Sequence, residues 1–336
     1  MNKGKRHYVR WVVLALTCVL LTTWLFRINV LFTSNHLSLT YARSATSMPL
    51  WYDQMFYVKD NVLYFIDDNG KKDRLCYVEN NIIKTFVKLP YSFDHFVVAD
   101  DETVIIQRKD ILYSLNVSDG VITELWQGAC VGYYEDQLYF TNDSALYAAK
   151  IGQGEPQKVL SFDELLASYH DGIIYRNGEE ICQLLLEQTD APQVLTKGNI
   201  PWPDAMLHWL LDEVFLYTSD YALHIGSHTI DMYTYKTGAM KRIYEAADAH
   251  DGSMVTMAVT ARENEIYISR LLTDISFWKI RDKNINGTYR YDIQADTWTK
   301  ITDATYSTIA QFDDRYLYGN DSGSFFDYGV LKITKN

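Results

Sequence analysis

The sequence predicts an all-β fold, a seven-bladed β-propeller of four-stranded blades, and three observations carry that expectation. The composition suits a pleated, half-buried surface, with 26 Tyr and 14 Phe against only 6 Pro. A strand, an acidic or polar turn and a second aliphatic or aromatic strand recur seven times in 336 residues. The copies lie between 34 and 51 residues apart, with a mean of about 42, which is the length of a four-stranded blade.

Ahead of the repeats, "KGKRHYVR" precedes an uncharged apolar run, 11–26, and the apolar character continues past Arg27 to Phe32. Roughly 20 such residues cross a bilayer, so 11–32 is expected as one transmembrane helix, an uncleaved signal anchor whose Arg27 snorkels to the interface. The basic tail, 1–10, is expected in the cytoplasm and the body, 33–336, outside it at the cell membrane. A cleaved signal peptide fits less well because the apolar run is too long, and Cys18 has a poor lipobox before it.

The first hairpins of the seven copies are "MFYVKDNVLYFIDD", "HFVVADDETVIIQRK", "CVGYYEDQLYFTND", "LLASYHDGIIYRNG", "LHWLLDEVFLYTSD", "AVTARENEIYISR" and "AQFDDRYLYGND". Their turns are rich in Asp, Asn and Gly, the residues that tight hairpins favour. Tyr64, Ile105, Tyr139, Tyr175, Tyr217, Tyr267 and Tyr318 mark the expected second strands. Six second hairpins follow, from "RLCYVENNIIKTFVK" to "TYRYDIQADTWTKIT", where Trp298 is expected to pack the outer blade. "SFDELLASY" opens with the capping-box pair Ser161 and Glu164, so a helical turn is expected there. The seventh copy ends on a third strand, "GVLKITKN". An unpaired edge is a liability, so "LSLTYARSA", about 37–45, is expected to close the ring as its outer strand.

This grammar resembles bacterial, envelope-exposed propeller repeats of TolB-like and YWTD type over about 38–336, and "YRYDIQADTWTKI" is similar to the end of a kelch repeat. The paired glycines of kelch, the Tyr-Trp-Thr-Asp tetrapeptide and the Trp-Asp dipeptide are absent. The resemblance implies architecture and envelope exposure, and no catalytic residue carries over with it.

Charge excludes one class of partner. Residues 1–50 hold six of the 31 basic residues and no acid, leaving 25 basic against 43 acidic in the body, a net of −18. Such a body repels phosphate backbones, so no nucleic-acid partner is expected. Cys18, Cys76, Cys130 and Cys182 stand singly, without a CxxC pair, and read as buried free thiols. No Gly-rich phosphate loop, GxSxG elbow or HExxH occurs, and no cofactor is expected. His224 and His228 have ligand-like spacing, but Gly226 between them marks a turn and no third ligand completes a set, so no metal is expected. "DDNGKKD", 67–73, places its glycine too early for a calcium loop and reads as solvated. Sequons stand at Asn116, Asn142, Asn286 and Asn320.

Blade connectivity assigns the loops to faces. Turns between first and second strands, and between third and fourth, share one face of the disc; the remaining connections share the other. The second set is expected to be long at 197–206, 219–230, 246–254, 271–287 and 320–329. Long loops on a rigid scaffold are where binding residues gather. The candidate ligand-binding residues there are Trp202, His224, His228, His250, Asp251, Phe277, Trp278, Arg281, Phe325, Phe326 and Tyr328. Aromatic and polar groups together suit a glycan or a protein surface, though the same aromatics also pack loops down onto a disc.

Two functions follow. The favoured one is a membrane-anchored binding or scaffold module for a protein or glycan, with no catalytic residues. The alternative is a propeller enzyme, a glycan hydrolase or lyase, with acids such as Asp204, Asp220, Asp251, Asp274 and Asp321 converging on the same face.

Overall fold

The computed structural model describes residues 56–59, 62–67, 74–79, 82–90, 93–169, 171–202, 214–226, 229–245, 253–262, 264–274, 279–280, 286–303, 308–311, 316–320 and 331–334. Every structural statement below concerns these residues. They form antiparallel sheets whose strands pair in chain order, the topology of a β-propeller.

Blade 1 comprises β1 (Phe56–Lys59), β2 (Val62–Asp67), β3 (Arg74–Glu79) and β4 (Ile82–Lys88). Blade 2 comprises β5 (His95–Val98), β6 (Thr103–Arg108), β7 (Ile111–Asn116) and β8 (Ile122–Gln127). Blade 3 comprises β9 (Ala129–Tyr134), β10 (Gln137–Asn142), β11 (Ala145–Lys150) and β12 (Gln153–Ser161). Blade 4 comprises β13 (Glu164–Tyr169), β14 (Gly172–Asn177), β15 (Glu180–Leu185) and β16 (Gln193–Lys197). Blade 5 comprises β17 (Val214–Tyr217), β18 (Tyr221–Ile225), β19 (Thr229–Thr234) and β20 (Ala239–Glu245). Blade 6 comprises β21 (Ser253–Arg262), β22 (Glu265–Asp274), β24 (Gly287–Asp292) and β25 (Thr297–Thr302), with the short β23 (Lys279–Ile280) paired to β22. A last sheet holds only β26 (Thr308–Gln311), β27 (Tyr316–Asn320) and β28 (Leu331–Thr334).

Seven four-stranded blades were expected, and the structure corrects this to six. The last sheet has three strands, and no fourth strand pairs with β28 among the described residues. The expected closing strand, 37–45, and the expected transmembrane helix, 11–32, lie outside the described residues. Among the described residues no helix is long and apolar enough to cross a membrane.

Three local expectations also change. Tyr217 belongs to the first strand of blade 5, not the second, because β17 pairs with β18 as Tyr217↔Ala222. The turn between them is set by Thr218, whose hydroxyl accepts from the amides of Asp220 and Tyr221. Thus 219–220 lie in a turn, 221–225 form β18 and 229–230 begin β19, so the expected loop 219–230 is largely strand. Ser161 ends β12 and Glu164 begins β13, so the capping-box pair flanks the link between two strands; the described helical turn lies instead at Leu186–Gln188, a 3-10 turn. Finally, 271–274 continues β22 and 279–280 pairs back onto it, so the expected loop 271–287 is partly strand.

The core is a series of layers between blades, which is why apolar residues occupy both strand parities. On β10, Leu138 and Phe140 pack towards blades 1 and 2 while Tyr139 packs with Phe162, Ile173 and Tyr175 of blade 4's side. On β14, Ile174 faces Tyr217 and Ala222 of blade 5. Each such aliphatic or aromatic side chain contributes about 1.5–3 kcal/mol on burial. Fourth strands are far more exposed than second strands: β8 and β12 are largely solvated whereas β6 and β14 are buried. Basic residues mark these outer strands, among them Lys84, Lys158, Lys197, Lys241 and Lys300, and charge there discourages edge-to-edge association.

Candidate functional site

The turns between second and third strands in blades 2, 3 and 4 are two residues long: Lys109-Asp110, Asp143-Ser144 and Gly178-Glu179. Lys109, Asp143, Ser144 and Gly178 take positive φ, between 47° and 60°, as tight hairpins of this hand require. These turns lie on the same face as the blade-to-blade connections at Gly128 and at Phe162-Asp163. The turns of blades 2 and 3 and these two connections enclose an open groove of about 410 Å³.

The groove joins a polar wall to an apolar floor. Asp110, Asp143, Asp163, Glu164 and Lys109 supply charge, Gln127 and Asn142 supply amides, and Phe162, Leu165 and Ala129 supply apolar surface. Gly128 shapes the floor: at φ +148°, an added Cβ would lie 2.6 Å from the Thr141 carbonyl oxygen and 2.8 Å from the Phe140 ring.

Most of the groove's carboxylates are held by structural donors. Gln127 Nε2 donates to Asp110 Oδ2 at 2.8 Å. The Gly178 amide donates to Asp163 Oδ2 at 2.6 Å, and Arg176 Nε lies 3.2 Å from Glu164 Oε2. Arg176 also donates to Asn199 Oδ1 at 3.2 Å, tying the groove wall to the connection that leaves blade 4.

The Asp163 contact occurs twice. In blade 2 the Lys109 amide donates to Asp94 Oδ2, and the Asp94 amide donates to the Gln107 carbonyl. In blade 4 the Asp163 amide donates to the Arg176 carbonyl in the same way. Each aspartate stands just before the first strand of its blade and caps the next tight turn on that face. Each follows a buried phenylalanine, Phe93 and Phe162. The sequence carries the signal as Ser-Phe-Asp at 92–94 and again at 161–163; blade 3 has Gly128 in its place.

Of the eleven residues expected at the site, Trp202 and His224 are described. Trp202 packs its ring on Phe215 and on His224, with centroids 5.4 Å and 5.7 Å apart. His224 lies in β18, is 4% exposed, and stacks on Phe215 at 5.0 Å. It begins a cross-strand row, Phe215–His224–Asp231–Arg242, that spans all four strands of blade 5. Asp231, 2% exposed, receives two bonds from Arg242, at 2.9 Å and 3.3 Å. His224 Nδ1 lies 3.9 Å from Asp231 Oδ2. The structure therefore brings Trp202 and His224 together as interior packing between blades 4 and 5. His228, His250, Asp251, Phe277, Trp278, Arg281, Phe325, Phe326 and Tyr328 lie outside the described residues.

The opposite face offers less. A hollow of about 150 Å³ is lined by Tyr134, Asp171, Leu185, Leu186 and Glu187. Asp171 still meets solvent, yet crowding by protein desolvates its carboxyl and pushes it above the ordinary range; its backbone hydrogen bond opposes this and Glu187 adds to it. Asp220, expected on the long-loop face, stands in the β17–β18 turn on this opposite face. Among the described residues no group of three or more His, Cys, Asp or Glu is arranged to hold a metal.

No family model matches the chain, and no curated protein matches it. Among solved structures, the extracellular domain of BT4673 from B. thetaiotaomicron is similar at 11% identity and a TM-score of 0.47, over 90% of this chain and 40% of that one. A protein in the structure of S. cerevisiae Dbp5 bound to Nup159 and Gle1 is similar at 7% identity and a TM-score of 0.46, over 89% and 95%. A component of the Mitotic Checkpoint Complex gives 10% identity and 0.44, over 90% and 93%. The protein thus spans about 40% of the length of the first of these, and likenesses this distant assign no function.

Proposed function

We propose that the protein is a binding or scaffold module that holds a protein or glycan partner on its long-loop face. The observation that carries this reading is the 410 Å³ groove between the turns of blades 2 and 3 and the connection into blade 4, where hydrogen-bonding groups stand over an apolar floor. The uncharged run 11–26 with its basic flank supports display outside a membrane, anchored by the N-terminal apolar segment.

A glycan hydrolase or lyase needs two carboxyls free to exchange protons or attack, about 5 Å apart in the retaining case. Asp163 and Glu164 are neighbours in the groove, but the first caps a turn and the second pairs with Arg176. That commitment favours binding over hydrolysis.

The test is to probe glycan and peptide arrays with the full-length protein. Gln127→Trp fills the groove from the end of β8, and Val121→Asp changes an exposed residue on the opposite face. Retention of a ligand by Val121→Asp and its loss in Gln127→Trp is the expected result. Retention by both variants contradicts the reading.

A further inference from the structure

We propose that Asn177–Gly178 is a latent deamidation site on the long-loop face and that the Asp163 carboxylate keeps it unreacted. The proposal stands on the turn itself and does not depend on which partner the groove holds.

The chemistry needs only these two residues and water. The Gly178 nitrogen attacks Asn177 Cγ, forming a new N–C bond and losing its proton to solvent. The bond between Cγ and Nδ2 of Asn177 then breaks, ammonia leaves, and a succinimide remains. Water opens that ring to aspartate or isoaspartate, with no change of oxidation state. Glycine lets the ring close most easily because it has no Cβ.

Nothing steric shields the pair. Both residues are exposed, and a Cβ built on Gly178 would meet no atom within 4 Å. What restrains it is the hydrogen bond: the attacking nitrogen donates its proton to Asp163 Oδ2 at 2.6 Å. A bond to a carboxylate is charge-assisted, so it stabilises the protonated amide against the deprotonation that attack requires. It also pins the nitrogen in the hairpin, where Asn177 still pairs with Glu180. In blade 2 the same contact joins Asp94 to the Lys109 amide, but the preceding residue is Arg108 and nothing there deamidates.

Reaction would alter the groove wall. Aspartate at 177 adds a negative charge beside Arg176 and Glu164, which are already paired. Isoaspartate adds a backbone methylene to a two-residue turn, which breaks the Asn177↔Glu180 register and frees Asp163.

Peptide mapping by mass spectrometry, on the full-length protein held at mildly alkaline pH, follows conversion at Asn177. Asn286–Gly287 is the internal comparator, because Asn286 is only 5% exposed and responds to loosening of the fold. Asp163→Ala is expected to speed reaction at Asn177 by about tenfold, the rate equivalent of losing one hydrogen bond to a charged group, and to leave Asn286 unchanged. Asp94→Ala removes the equivalent contact in blade 2 and is expected to leave Asn177 at the wild-type rate. Equal rates at Asn177 in wild type and Asp163→Ala would overturn the proposal, as would equal acceleration at both asparagines.

Discussion

The indole Nε1 of Trp298 donates to the backbone carbonyl of Ile243 at 2.7 Å, joining the outer strand of blade 6 to the outer strand of blade 5. The ring also packs on Tyr244 and Tyr291, with centroids 5.7 Å and 5.0 Å away. Trp298→Phe keeps much of the packing and strands one carbonyl, so unfolding stability should fall by about 1 kcal/mol. Trp298→Ala also opens a cavity and should cost about 2–4 kcal/mol. Urea denaturation of both variants checks the difference, and equal losses would show that the hydrogen bond contributes nothing.

Arg242 is the partner that makes the buried Asp231 carboxylate tolerable in blade 5. Arg242→Met should destabilise by about 1–3 kcal/mol, below the full value for a buried pair because the Arg242 side chain is itself 45% exposed. Asp231→Asn introduced together with Arg242→Met should recover part of the loss, since no charge is then left behind. A double variant no better than Arg242→Met alone would contradict this account.

Gly128 is required by its backbone and by its neighbours together. Gly128→Ala places Cβ against the Thr141 carbonyl and forces φ away from +148°. A loss of about 2–4 kcal/mol is expected, with a lower thermal midpoint as the readout. Gly178→Ala, where no atom lies within 4 Å, should cost less, through its φ of +60° alone.

Asp296 gives a pH dependence of known sign. The Lys241 ammonium, 2.6 Å away, and then the Tyr291 hydroxyl hold its carboxyl below the ordinary range. An acid with a depressed folded-state pKa contributes stability above its unfolded value, near pH 4, and loses it as pH falls through the folded value. Wild type should therefore exceed Asp296→Asn in stability at pH 6, and the gap should close towards pH 2. Added salt should narrow it at pH 6, because the pair is exposed.

Cys76, Cys130 and Cys182 are buried and form no disulfide among the described residues, and burial pushes the Cys130 thiol up. Iodoacetamide should label none of the three in the folded protein and all three in denaturant. Rapid labelling of Cys130 in native protein would contradict the packing between blades 2 and 3.

Much of the blade architecture is legible in the sequence because each blade repeats the same hairpin grammar, and Trp298 stands in the outer packing its sequence context implied. Blade 5 misled because "LHWLL" before Asp212-Glu213 has the pattern of a strand and turn, while the turn that forms is set by one threonine hydroxyl at 218. Ser161 and Glu164 have capping-box spacing, yet the neighbouring strands of blades 3 and 4 draw both residues into sheets. The groove was harder to see. Its residues are short turns, which loop length does not flag, and they meet only when three blades are set side by side. The Ser-Phe-Asp repeat at 92–94 and 161–163 is the one local signal that points to it.

Hydrogen–deuterium exchange on the full-length protein, with and without the array-selected ligand, reports whether the partner sits in the groove. Slower exchange is expected at the Lys109-Asp110 and Asp143-Ser144 turns and at Phe162–Leu165, which line the groove. Protection confined to the opposite face, at Glu135-Asp136 and Ser118–Gly120, would contradict it.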